Sequence, residues 1–343
     1  MAAGRYPEQM EPQTPTRNRR ATAADVASAA GVSRATVGFV LNNTHGQTIS
    51  APTRERVRAA AEGLGYRPHA GAQALARGSS TIVIFVLPDW PLDHSMRAHL
   101  EAARAALDVE GYSLVTYTRH QSSKARPLWE VLDPAAVVGM MPFTPDELAG
   151  LRRSGVTRVF PATSVVESGA DQVVDLDTAV RLQVDHLAEL GHRRLAYALS
   201  TDERLTSLGA ERLQTAQGRA RELGLPELDV RHLPADRGET LAAVTAWIGA
   251  DVTGVVAYND DIASLVSAAA QRLGASVPED LAIVGYDDTP LAALQFPALT
   301  SVRVDTEGLG RALAEIALAL IQDRAVPVWD VDAHAVLVRR EST

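Results

Sequence analysis

Residues 22–42, TAADVASAAGVSRATVGFVLN, decide how this chain is read. Thr22 is a good N-cap, and Val26, Ala27 and Ala30 recur behind it at helical spacing. Gly31 supplies the backbone freedom of a tight turn, and Val32 can pack between the two helices it joins. Ser33 caps a second helix whose Val37, Val40 and Leu41 share one face. Arg34, Ala35, Gly38 and Phe39 fall on the opposite face, where a partner can read them. The pattern predicts a helix-turn-helix, the unit that lays its second helix in a DNA major groove. A purely structural hairpin has the same pattern, so the rest of the chain has to decide.

The charge distribution sides with nucleic acid. The 343 residues carry a net charge of −9, yet residues 1–77 hold ten Arg against Glu8, Glu11, Asp25, Glu55 and Glu62. That section is +5 and the remainder −14, a basic head on an acidic body. A chain of 343 residues with 46% hydrophobic content predicts two or three folded domains. There is no cysteine, which excludes disulfides, thiolate metal sites and a cysteine nucleophile and fits a reducing cytosol. Residues 1–20 lack an apolar signal-like run, and no later run reaches the ~20 apolar residues of a membrane span. A soluble, cytoplasmic protein is expected.

Pro7, Pro12 and Pro15 mark residues 1–20 as a disordered arm, with Arg17, Arg19 and Arg20 placed to reach phosphates. The helix-turn-helix domain runs over 21–67. Its third helix is capped by Ser50, tolerates Pro52 in its first turn, turns Val57, Ala60, Ala61 and Leu64 inward and stops at Gly65. PHAGAQALARGSS, residues 68–80, is helix-prone but too short to be stable alone, and reads as a switch or a plain linker. From Thr81 the texture becomes strand-then-helix. TIVIFVL is followed by a helix over 95–110 and by strands in SLVTYT, AVVGMM and VTRVF. A second series sets RLAYAL, VTGVVAY and LAIVGYD among helices near 179–190, 208–223 and 260–273. Buried strands alternating with helices predict two parallel-sheet, Rossmann-like α/β lobes, which bind ligands outside the carboxyl ends of their strands.

Polar residues gather at those ends. Asp89 follows the first strand, Asn259 and Asp260 follow VTGVVAY, Asp287 and Asp288 follow LAIVGY, and Arg212 lies on the helix after RLAYAL. Carboxylates with an arginine offer acceptors and charged donors to the hydroxyls of a small polar ligand. For each acid alone the structural alternative is helix N-capping; for the group, a ligand cleft is the reading taken. Trp90 lies near the expected cleft mouth and can stack on a sugar face. Catalytic constellations are missing: the nine histidines are scattered, without HExxH, and there is no GxSxG. Gly308-Leu309-Gly310 lacks a third glycine and falls in a helix, and Asp287-Asp288 lacks a second carboxylate motif for Mg²⁺. No enzyme, no cofactor and no metal is expected.

From about Thr22 to Thr343 the chain resembles the lactose-repressor/galactose-repressor family of bacterial transcription regulators. The likeness is carried, in order, by DVASAAGVSRATVGFVLN, TRERVRAAAEGLGYRPHAGAQALARG, GHRRLAYA, YNDDIA, VPEDLAIVGYDD, PALTSVRVD and VRREST. It implies an all-α DNA-binding head, a hinge helix over 68–80 and a two-lobed core over 81–343 resembling periplasmic sugar-binding proteins. The N-lobe would take 81–162 and 305–325, and the C-lobe 163–302 and 326–343. By the resemblance, Ser33, Thr36 and Asn42 contact phosphate or fix the recognition helix, and Arg34 and Ala35 read bases. Leu75 matches the leucine lever wedged into the minor groove, and Ala72 and Ala76 match hinge positions of close approach. Thr22 and Phe39 complete the DNA-facing set. Arg212, Asp260 and Asp287 match effector-contacting positions, which Asp89 and Trp90 join.

The departures fall mostly around the cleft. PDWPLDHSM replaces the family's usual stretch after the first strand, so that Trp90, Asp93 and His94 line the cleft instead. TRHQSSKARPLWEV is short for the helix normally found there, and Thr215-Ala216 replaces the usual Gly-Phe. Gly38 and Phe39 leave the reading face largely apolar apart from Arg34, which is expected to read a guanine edge. The expectation is a repressor-type regulator that binds a palindromic operator as a homodimer, with no membrane partner. The chain stops at the core's usual end, which favours a dimer over a tetramer. Its effector is a small polar molecule, sugar or nucleoside-like. The alternative is a solute-binding sensor without DNA activity, against which the basic head argues.

Overall fold

The structure, a computed structural model, describes residues 21–41, 48–66, 80–120, 124–162, 177–234, 236–327 and 335–343. Asn42, Ala72, Leu75 and Ala76, together with the 1–20 arm and nearly all of the 68–80 segment, lie outside them. The chain divides into two compact units, Met1–Ser80 and Thr81–Thr343.

In the first unit, α1 (Ala23–Ala30) opens on a reciprocal cap. The Thr22 hydroxyl accepts from the Asp25 amide, and the Asp25 carboxylate accepts from the Thr22 amide at 2.8 Å. Gly31 ends α1 with φ 65, a left-handed conformation that a β-carbon would strain. Ser33 then caps α2 (Arg34–Leu41), accepting from the Thr36 amide at 3.1 Å. With α3 (Ala51–Gly63) these helices bury Val26, Val37, Val40, Val57 and Ala61 in one small core. Two details differ from the sequence reading. Leu64 falls just past the end of α3 and is 42% exposed, while Tyr66 packs on the core beyond the Gly65 turn. The Ser50 hydroxyl pairs with Thr53 Oγ1 at 2.9 Å and caps no amide.

The second unit holds two sheets. In the first, β1 (Ile82–Leu87), β2 (Ser113–Thr118), β3 (Ala136–Gly139) and β4 (Val159–Phe160) run parallel in the order β2-β1-β3-β4. Strand β1 is apolar throughout because both its faces are covered, and its side chains alternate between two cores. Val83, Phe85 and Leu87 pack toward α4 (His94–Val109), whereas Ile84 and Val86 pack with Trp129, Phe143 and Leu151 of α5 (Pro145–Arg153). Among the described residues of 119–134 there is only one 3-10 turn, Leu128–Glu130. Trp129 in that turn meets Tyr117 and Phe143 edge to face.

The second sheet orders β10 (Val336–Val338), β9 (Thr300–Arg303), β8 (Ala282–Tyr286), β7 (Gly254–Ala257), β5 (Leu195–Ser200) and β6 (Asp229–Leu233). All are parallel except β10, which pairs antiparallel with β9 at the edge. Helices α6 (Asp177–Glu189), α7 (Thr206–Glu222), α8 (Arg237–Gly249) and α9 (Asp260–Arg272) belong to this sheet, and α10 (Pro290–Leu294) precedes β9. The last long helix, α11 (Thr306–Ile321), crosses back to the first sheet. Leu313, Ala314 and Ala317 join Val83, Phe85 and Ala103 in one core. Gly310 permits this close fit, because a β-carbon there would run into the carbonyl oxygen of His99 on α4. The GxG of residues 308–310 is therefore a helix-packing feature. The chain end returns to the second sheet, where the Ser342 hydroxyl accepts from the Thr300 amide at 2.9 Å and donates to the Ile283 carbonyl at 2.6 Å.

Candidate DNA-reading helix and ligand cavity

On α2 the buried face is Val37 and Val40. Arg34 and Ala35 are exposed, and Thr36, Gly38 and Phe39 are half-buried, so the face carrying the expected base readers is open to a partner. Ser33 and Thr36 are tied to one another, their hydroxyls 2.9 Å apart, which fixes the start of the helix behind Arg34. Thr22 is exposed at the cap of α1.

In the second unit a cavity of about 330 Å³ opens among the carboxyl ends of β1, β3, β7 and β8, the start of α4, α7 and the start of α11. Arg212 reaches it from α7 and is 8% exposed. Its guanidinium lies over the rings of Tyr286 and Tyr258, at 3.8 and 4.6 Å from their centroids. One Nη–H donates to the Tyr258 carbonyl at 2.8 Å, and the buried Nε–H has no hydrogen-bond partner. Burial pushes both tyrosine hydroxyls up to about 12, so both rings are neutral beside the arginine.

Asp287 shares the wall with Arg212. Burial pushes its carboxyl up to about 7; the Arg212 charge and a hydrogen bond from Ser95 pull the other way, and Asp93 and Asp260 add to the rise. Its backbone is unusual as well. Asp287 has φ 100 and Asp288 φ 49, both positive in non-glycine residues. Such conformations cost on the order of 1–3 kcal/mol each and persist only where their surroundings hold them. Here the Asp287 amide donates to the Val302 carbonyl at 2.9 Å and the Asp288 amide to Ser301 Oγ at 3.1 Å. The Asp288 carboxylate is held by Arg340 at 2.7 Å.

Asp260 belongs to that scaffold. It is 1% exposed and absent from the cavity wall. Its two oxygens accept from the Ser301 hydroxyl and the Thr289 amide, both at 2.6 Å. A buried carboxylate needs donors, and these fix the 287–289 turn, so the structure places Asp260 behind the wall and not on it. Capping of α9 falls to Asn259, which accepts from the Ile262 amide at 3.0 Å. Asp89 also stands off the wall, 3.0 Å from His120 Nδ1 at the surface.

Of the expected effector set, the structure thus brings Trp90, Arg212 and Asp287 to the cavity and leaves Asp89 and Asp260 outside. Asp93 lines it while capping α4 through the Met96 amide at 2.8 Å, whereas His94 is exposed and does not. The sequence reading missed Tyr258, Tyr286 and His99. The two tyrosines stand at or one residue past the last position of a buried strand, a signal that could have found them. His99 falls on the core face of α4 with Met96 and Ala103, where histidine looks like packing. Among the described residues no group of three or more His, Asp or Glu could hold a metal ion, and no helix is long and apolar enough to cross a membrane.

Together these parts define a DNA-binding helix-turn-helix unit joined in one chain to a two-lobed, periplasmic-binding-protein-like core. Comparison with known proteins gives the same assignment for each part. Residues 22–69 match the model of bacterial regulatory proteins of the lacI family, and residues 184–343 match a periplasmic binding protein-like domain. The HTH-type transcriptional regulator MalR of Streptomyces coelicolor is 32% identical, the match covering 93% of this chain and 96% of MalR. GalR of Escherichia coli is 31% identical, with 94% and 95% covered. Among solved structures, the lac repressor dimer bound to operator and an anti-inducer has the same fold, with a TM-score of 0.72, 23% identity, and 94% and 99% covered. The regulator CelR in its cellobiose complex is 26% identical, with a TM-score of 0.63 and 94% and 100% covered. The chain belongs to the lacI family of bacterial transcription regulators. It is a sequence-specific DNA-binding regulator, and the solute-binding sensor without DNA activity is set aside.

Proposed function

We propose that the protein is a cytoplasmic repressor whose grip on a palindromic operator is tuned by a sugar held in the cavity of the second unit. The observation that carries this reading is Arg212, buried between Tyr258 and Tyr286 beside Asp287, with a donor left unused. A planar fork of donors and a carboxylate acceptor on one wall suit adjacent hydroxyls of a sugar ring, and Trp90 offers a face to stack on. Both sheets contribute to the cavity wall, so a ligand there biases how closely the two lobes approach. Passed on through the 68–80 segment, that bias changes operator affinity by a coupling typically worth ~1–3 kcal/mol. In this reading the site binds and does not catalyse.

The operator-binding form is a homodimer. Leu291 and Leu294 of α10 and the adjacent Phe296 are 55%, 80% and 84% exposed, an apolar cluster on a surface that a second copy would cover. The test of the function is a thermal-shift screen of the full chain against pentoses, hexoses and disaccharides, followed by operator titration with the best compound. A sugar that raises the melting temperature of the wild type but not of Arg212→Ala or Asp287→Ala, and that changes operator affinity, is the expected result. No shift with any sugar refutes the effector reading.

A further inference from the structure

Around the cavity, the part of the wall that comes from the first sheet and α4 is built largely of apolar side chains: Pro88, Trp90, Pro91, Met96, Met140 and Met141. One polar side chain there is buried and uncommitted. His99, on α4 one turn after Met96, is 2% exposed, and its Nε2 has no hydrogen-bond partner. A buried nitrogen without a partner destabilises the fold, and a leucine would fill the same space without that penalty. At Gly310 of α11 it is the backbone carbonyl of residue 99 that comes close. A neutral imidazole can present Nε2 as donor or acceptor according to its tautomer, which suits a hydroxyl that can do either.

We propose that His99 is a specificity-determining residue of the cavity, its imidazole forming a hydrogen bond to one ligand hydroxyl brought against the largely apolar first-lobe wall. The inference rests on the proposed sugar-binding function and deepens it. Arg212 and Asp287 hold one side of the ring, and His99 favours a ligand that brings a hydroxyl to the opposite wall. The preference works because only such a ligand gives the imidazole a partner that it lacks in the empty protein.

Two measurements on the full chain test it, with His99→Leu as an apolar replacement and His99→Gln as one that keeps hydrogen-bonding capacity. The first is the melting temperature without ligand, which His99→Leu should raise by removing the unpartnered group; a fall would show that the imidazole serves the fold and would overturn the proposal. The second is binding of D-glucose, D-galactose, L-arabinose, maltose and cellobiose. For the sugar that stabilises the wild type most, His99→Leu should weaken binding roughly tenfold or more, the loss of one hydrogen bond, and His99→Gln should restore most of it. Wild-type affinity in His99→Leu overturns the proposal and leaves the sugar-binding function standing. If no sugar binds the wild type, the sugar reading falls instead. A higher ligand-free melting temperature in His99→Leu would then still support an imidazole kept for a hydroxyl-bearing ligand of another class.

Discussion

Asp287→Asn, an isosteric and uncharged replacement, should stabilise the ligand-free protein in alkaline solution far more than in acid. The folded carboxyl sits at about 7 against an ordinary value of 3.8, chiefly because burial disfavours its charge. Folding therefore favours the protonated form. That contribution is complete below about pH 4 and is lost as pH rises through 7. A shift of about three units at ~1.36 kcal/mol per unit is about 4 kcal/mol between the two limits. Of this, roughly 2–3 kcal/mol is lost between about pH 5 and pH 8. The variant has no such titration, and every other group cancels when the two proteins are compared. The gap in melting temperature, variant minus wild type, should therefore widen by about 5 °C from acid to alkaline buffer. A gap independent of pH would refute the reasoning, since it would mean that the empty site does not hold Asp287 against its charge. With saturating ligand the slope flattens. Sugar hydroxyls donating to Asp287 favour its ionised form, so wild-type affinity should climb toward pH 7 and level off above it, while the variant stays flat.

Arg212→Lys keeps the charge but loses the planar fork and its stacking between Tyr258 and Tyr286, and should weaken sugar binding about tenfold or more. Isothermal titration checks this, with unchanged far-UV circular dichroism as the folding control. Arg34→Ala should weaken operator binding by roughly 1–3 kcal/mol and relax preference at one base position, read from affinities for an operator substituted position by position. Unchanged base preference would move the direct readout to another residue. Phe296→Glu, on the exposed cluster after α10, should convert the dimer to monomer in sedimentation equilibrium while leaving the melting of the core unit nearly unchanged.

The elements easiest to read were those whose causes are local. The Thr22 cap, the Gly31 turn and the Ser33 cap are written within a few residues of where they act, and all three have their expected roles. The run of β1 signalled a strand covered on both faces, as it is. The site was legible in part. Arg212, Asp287, Trp90 and Asp93 reach the cavity, but Asp260 and Asp287 look equivalent in sequence, each an acid just beyond a buried strand. What separates them is which donors the fold brings near. Ser301 and Thr289 claim Asp260, and the turn they fix exposes Asp287 to the cavity. His99 looked like a core position because helical periodicity reports which face is buried and says nothing of whether a nitrogen on it finds a partner.

The sequence by itself determined the class of this protein: a helix-turn-helix with Arg34 on its open face, followed by alternating strands and helices in two series. Those features follow from backbone conformation and hydrophobic period, which neighbouring residues set among themselves. Only the tertiary structure decided which polar groups meet in the cavity and which are spent holding it together. It also decided how α11, which the resemblance already gave to the N-lobe, meets α4: across Gly310, at the carbonyl of residue 99. Hydrogen bonds and close packing join residues far apart in the chain, so their outcome is settled when the lobes assemble and not before.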